Sequence, residues 1–138
     1  MRNKTVLLAV ATILLFSACK QRSEGDKNVI DKPNIEIKDG KLSPEALWSF
    51  GRIGDVSVSP DGKKVLYTLT YYSISENKGN AEIYTMNTDG SDVKRLTTTA
   101  SSEWNVIWNP KGDKIGFIYA DESGVNIYEM NPDGSDRK

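Results

Sequence analysis

Asp89, Asp92, Asp133 and Asp136 come nearest to a reactive constellation, four carboxylates grouped around two Asp-Gly pairs. Carboxylates so grouped could ligate a hard cation such as calcium. The loop spacing of an EF-hand is absent, however, and Asp-Gly is what a tight hairpin turn needs sterically. No metal and no cofactor are therefore expected. Nucleophilic chemistry is excluded on composition. The chain has no histidine, so it lacks the commonest general base and one member of any Ser-His-Asp arrangement. Ser101 and Ser102 have no base near them in sequence, and no Gly-x-Ser-x-Gly elbow occurs. With 27% charged residues, a net charge of -1 and no basic stripe, the chain is not a nucleic-acid binder. The chain itself is expected to catalyse nothing.

Cys19 is the only cysteine, so no intrachain disulfide can form. Arg2 and Lys4 precede an apolar run from Thr5 to Phe16, and Ser17 and Ala18 lead into the cysteine. The run is shorter than the roughly 20 residues that span a bilayer, and its flanks are those of a secretory signal. The junction resembles a bacterial lipobox, with Phe16 where Leu is usual. That resemblance implies cleavage of residues 1–18 and lipidation of Cys19, which would anchor the chain in the bacterial cell envelope. Cleavage removes two of the 18 basic residues and none of the 19 acidic ones, leaving 16 against 19. Residues 19–41 are polar and charged and are expected to form a flexible tether, within which Ile35 and Ile37 alternate as a short strand would.

The elements that would position any site come from a repeat. Ile83-Tyr84-Thr85-Met86-Asn87-Thr88-Asp89-Gly90-Ser91-Asp92 returns forty-four residues later as Ile127-Tyr128-Glu129-Met130-Asn131-Pro132-Asp133-Gly134-Ser135-Asp136. Val56–Gly62 likewise returns fifty residues later as Val106–Gly112. Two motifs repeated in order at roughly 40–50 residues are the signature of propeller blades. The turns lie at Pro60-Asp61-Gly62, Asp89-Gly90, Pro110 with Gly112, and Asp133-Gly134, where Pro presets φ and Gly supplies its positive values. Between them lie strands over Val56–Val58, Lys64–Tyr71, Ala81–Met86 and Val93–Thr98, then Trp104–Trp108, Lys114–Tyr119 and Asn126–Met130. The unequal offsets place a six-residue excess in a loop from Tyr72 to Asn80. Ser43-Pro44-Glu45 opens a short helix that packs as a lid and ends at Gly51 and Gly54. The expected fold is all-β: a partial β-propeller over residues 42–138, with one complete four-stranded blade and three strands of a second. Both faces of these strands carry large apolar groups, as stacked blades require and a one-sided sheet does not.

The motif Ser/Asn-Pro-x-Gly-x-Lys followed by Ile-Tyr-x-Met-Asn-x-Asp-Gly resembles the blades of TolB-like propellers. It equally resembles the N-terminal propeller of the prolyl oligopeptidase family, which includes dipeptidyl peptidases and acylaminoacyl peptidases. The preamble Leu42–Trp48, running into Gly51–Gly62, is similar to the start of secreted dipeptidyl-peptidase-like members. That likeness implies a propeller that restricts peptide access to a C-terminal α/β-hydrolase domain carrying the catalytic Ser, Asp and His. The partners it implies are that domain, absent here, peptides, and the membrane through the lipid. Tyr71 and Tyr72 beside the longer loop, and Trp104, are then the candidates for peptide contact, whereas Trp108 aligns with Val58 and reads as packing. The alternative is a TolB-like envelope lipoprotein that binds proteins and has no enzyme domain; a degenerate product is the third class. Fewer than two blades cannot close a ring, so the isolated chain is expected to be marginal or prone to aggregate.

Overall fold

The computed structural model describes residues 29–138, so Cys19 and the signal segment lie outside the described residues. The helix α1 (Pro44–Ser49) starts where Ser43 caps it, the Ser43 hydroxyl accepting the Ala46 N–H at 3.1 Å. The two glycines do not end it. The backbone is already extended at Phe50, and Gly54 lies inside the first strand. There a Cβ would meet Thr68 Oγ1 at 2.5 Å, so the glycine permits close pairing beside a bulge between Ile53 and Val56.

One antiparallel sheet runs β1 (Arg52–Val58), β2 (Lys64–Ser73), β3 (Lys78–Asn87) and β4 (Lys94–Arg95), in that order. A second runs β5 (Glu103–Trp108), β6 (Ile115–Asp121) and β7 (Gly124–Met130). The stretch from Tyr72 to Asn80 is not a loop. Its residues extend the β2–β3 hairpin, with Tyr72 opposite Gly79 and Ser73 opposite Lys78. The six-residue excess is thus mostly a longer hairpin, turned through Asn77 at a φ of 50°. The fourth strand is shorter than expected, because the Thr97 hydroxyl replaces a ladder carbonyl in accepting the Ile83 N–H at 2.8 Å. Ile35 and Ile37 form no strand; in the segment before them Ile30 is buried, and Asp31 pairs with Arg95 of the first sheet at 2.6 Å.

The two sheets stack face to face. Leu66 and Ile83 of the first interlock with Val106, Trp108, Ile115, Phe117 and Met130 of the second. Trp108 adds a hydrogen bond from Nε1 to the Ser57 carbonyl at 3.3 Å. Equivalent positions of the two repeats consequently have opposite fates. Trp108 is 9% exposed while Val58 is 54% exposed, and Ile83 is wholly buried while Ile127 is 83% exposed. The open face of the second sheet therefore matches the face the first has already used. Both faces of the strands carry large apolar groups, and with fewer than two blades only the pair of faces that meet here is sealed between sheets.

Candidate peptide-contact surface

The aspartates are spent on the turns themselves. Asp89 Oδ1 accepts from the Ser91 hydroxyl at 2.6 Å and its N–H at 2.9 Å, and Asp133 treats Ser135 identically. Asp61 is held in the same manner by Ser59 and by the Lys63 N–H. These serine hydrogen bonds lower all three carboxyls below their ordinary range. Asp92 pairs with Lys94 at 3.1 Å and Asp136 with Lys114 at 3.3 Å. Gly62, Gly90, Gly112 and Gly134 hold φ between 70° and 87°, and Pro60 and Pro110 stand two residues before a glycine in two of these turns. What this geometry does is reverse the chain.

The strands present Tyr71 and Tyr72 on opposite faces, as successive residues must be. Tyr71 lies with Leu69 against Gly51, whereas Tyr72 lies with Thr70 against Gly79. Only Tyr72 joins a larger cluster. Its ring meets Trp48 of α1 edge-on at 5.2 Å, and the Arg52 guanidinium lies over both rings, at 4.4 Å from Trp48 and 4.8 Å from Tyr72. Two neighbouring cavities, about 450 and 350 Å³, share Trp48, Tyr72, Ser73 and Ile74 as walls. The larger is also lined by Ile30, Pro33, Glu45 and Glu76. Its concave, mainly apolar lining with a few polar groups suits a peptide side chain.

Trp104 lines neither cavity. It sits on β5 opposite Ile118, at the start of a register shift, next to Asn105, whose N–H donates to Asp55 at 2.6 Å. Trp48 and Arg52 are the members of the surface that sequence alone leaves out. The signal is present in retrospect: a Trp and an Arg four residues apart at a helix-to-strand junction, facing an unusually long hairpin.

The comparisons fit this architecture, though no family model matches the chain. A putative TolB from Agrobacterium tumefaciens superposes with a TM-score of 0.52 at 27% identity, over 64% of this chain and 32% of that one. An acylaminoacyl peptidase from Pyrococcus horikoshii does so with a TM-score of 0.53 at 21% identity, over 64% of this chain and 14% of that one. The sheets are propeller blades. Dipeptidyl-peptidase 5 of Porphyromonas endodontalis is 28% identical over 136 residues, covering 99% of this chain. The chain spans 19% of that relative's length.

Proposed function

We propose that these blades belong to the propeller of a secreted, lipid-anchored serine peptidase, where they guide short peptides toward an α/β-hydrolase domain supplied by the rest of the protein. The observation that carries this is the extent of the similarity to dipeptidyl-peptidase 5, which covers 99% of the chain and therefore includes the segment before the blades. A resemblance confined to blade motifs would not reach that segment. The chemistry agrees. With no histidine and no Gly-x-Ser-x-Gly elbow, the blades have nothing with which to cleave a peptide, so a hydrolase domain must provide it. Lipidation at Cys19 would hold such an enzyme at the envelope surface.

A protein-binding propeller without an enzyme domain is the second reading, favoured by the 27% identity to the putative TolB, which exceeds that to the acylaminoacyl peptidase. The coding sequence beyond residue 138 separates the two. A frame continuing through further blades to a Gly-x-Ser-x-Gly elbow and a late histidine supports the peptidase; blades followed directly by a stop support the binding protein.

A further inference from the structure

Glu103 opens β5 with its side chain fully buried beside the linker that joins the two blades. Its Oε1 lies 2.7 Å from Thr99 Oγ1 and its Oε2 lies 3.1 Å from Thr97 Oγ1. Thr99 Oγ1 also lies 2.6 Å from the Ser101 carbonyl oxygen. A hydroxyl has one proton to give, and a carbonyl can only accept. Thr99 therefore gives its proton to Ser101, and its short contact with Glu103 needs a proton from the carboxyl. On the other side Thr97 Oγ1 accepts the Ile83 N–H at 2.8 Å and gives its own proton to Glu103 Oε2. Every proton is then used once, provided Glu103 is an acid rather than a carboxylate.

The surroundings pull in both directions. Burial and the nearby Glu82 of β3 disfavour a charge on Glu103 and, against the Thr97 bond and Arg137, push it up to about 7. Arg137, beyond β7, already places Nη1 3.5 Å from Glu103 Oε1 in the closed linker. Arg95 of β4 is committed to Glu82 at 3.1 Å and to Asp31. Tyr119, opposite Glu103 in the ladder, lies under the Arg137 guanidinium at 4.2 Å. Glu82 meanwhile accepts from the Thr99 N–H at 2.9 Å and from Asn80 Nδ2 at 2.9 Å, so both acids contact Thr99, Glu82 at its N–H and Glu103 at its hydroxyl.

We propose that Glu103 is a proton-operated latch on the inter-blade linker. With the proton in place, the chain from Glu103 through Thr99 to the Ser101 carbonyl holds residues 97–102 against β3. When the proton leaves, Thr99 faces two acceptors with one proton, and the linker loosens. The group releases its proton more readily in an opened linker than in the closed one, so opening grows as pH rises from about 4.5 to about 7 and levels off above.

Carboxyl-labelled NMR of the whole chain reads the titration directly. Glu103 is expected to titrate near neutrality, with amide protection over residues 97–102 falling on the order of fiftyfold between pH 5 and pH 8 after correction for intrinsic exchange. Glu103→Gln, whose amide can donate to Thr99 and whose carbonyl can accept from Thr97, is expected to hold the linker closed at both pH values. Titration of Glu103 near the ordinary glutamate value, or wild-type protection unchanged across that range, overturns the latch whether or not the variant folds.

Discussion

Ile83 and Ile127 hold the same place in two copies of one repeat, yet Ile83 is sealed between the sheets and Ile127 stands 83% exposed. The difference is supplied entirely by what lies next to each. Blade two covers Ile83, and no described residue covers Ile127. The contact is head-to-tail: the open face of the second blade repeats the face that the first has covered.

Truncating the two isoleucines should therefore give opposite results. Ile83→Ala is expected to cost about 2–5 kcal/mol, the range for a fully buried aliphatic side chain, while Ile127→Ala costs about 0.5 kcal/mol or less. Urea unfolding midpoints measure both. Equal costs would mean that the blades do not stack as described.

The turn glycines make a second paired comparison. Gly90 and Gly134 share the positive-φ position of equivalent turns, with φ of 85° and 87°. A Cβ on Gly90 would meet open space, whereas on Gly134 it would lie 2.8 Å from the Leu96 carbonyl oxygen of the other blade. Gly90→Ala should cost about 1–2 kcal/mol from the backbone alone. Gly134→Ala should cost measurably more, because rigid backbone must move. Thermal unfolding of the two variants decides it, and an equal loss would place the second turn away from Leu96.

Stability should also depend on pH in a direction unusual for a glutamate. Glu103 is raised to about 7 by burial from an ordinary value of 4.5, so the folded state binds its proton more tightly than the unfolded chain. Its contribution is complete below about 4.5 and is lost as pH rises to about 7, at most on the order of 3 kcal/mol. Glu103→Gln should remove that slope from the urea-derived stability of the chain. A wild-type curve already flat over this interval would count against it.

How much of this is legible in the sequence varies with the physics behind each feature. The turns at Gly62, Gly90, Gly112 and Gly134 can be read because positive φ leaves few alternatives to glycine. The end of the long hairpin cannot, since Ser73, Asn77 and Gly79 are local turn formers. Their pairing across β2 and β3 is accompanied by packing of Trp48 on Tyr72, a contact no local rule encodes. Of the peptide-contact candidates, Tyr72 falls in the cavity walls, Tyr71 lies on the opposite face, and Trp104 lines neither cavity. Glu103 is hidden for a different reason. In sequence it is one more polar loop residue, and only the stacking of two sheets buries it.

Lipidation is open to a simple labelling experiment in a bacterial host. Palmitate should enter the wild-type chain and be absent from Cys19→Ala, with the label partitioning into membranes. Label retained in the variant would rule out Cys19 as the attachment point.

The most direct measurement is fluorophosphonate labelling of the protein made from its native locus. A serine peptidase built on these blades should yield a labelled species about five times the length of this chain, in keeping with the 19% share of dipeptidyl-peptidase 5 that the chain spans. The same species should release dipeptides from short chromogenic substrates. A product that carries the blades yet takes no label and cleaves no peptide would contradict the account and leave a binding propeller in its place.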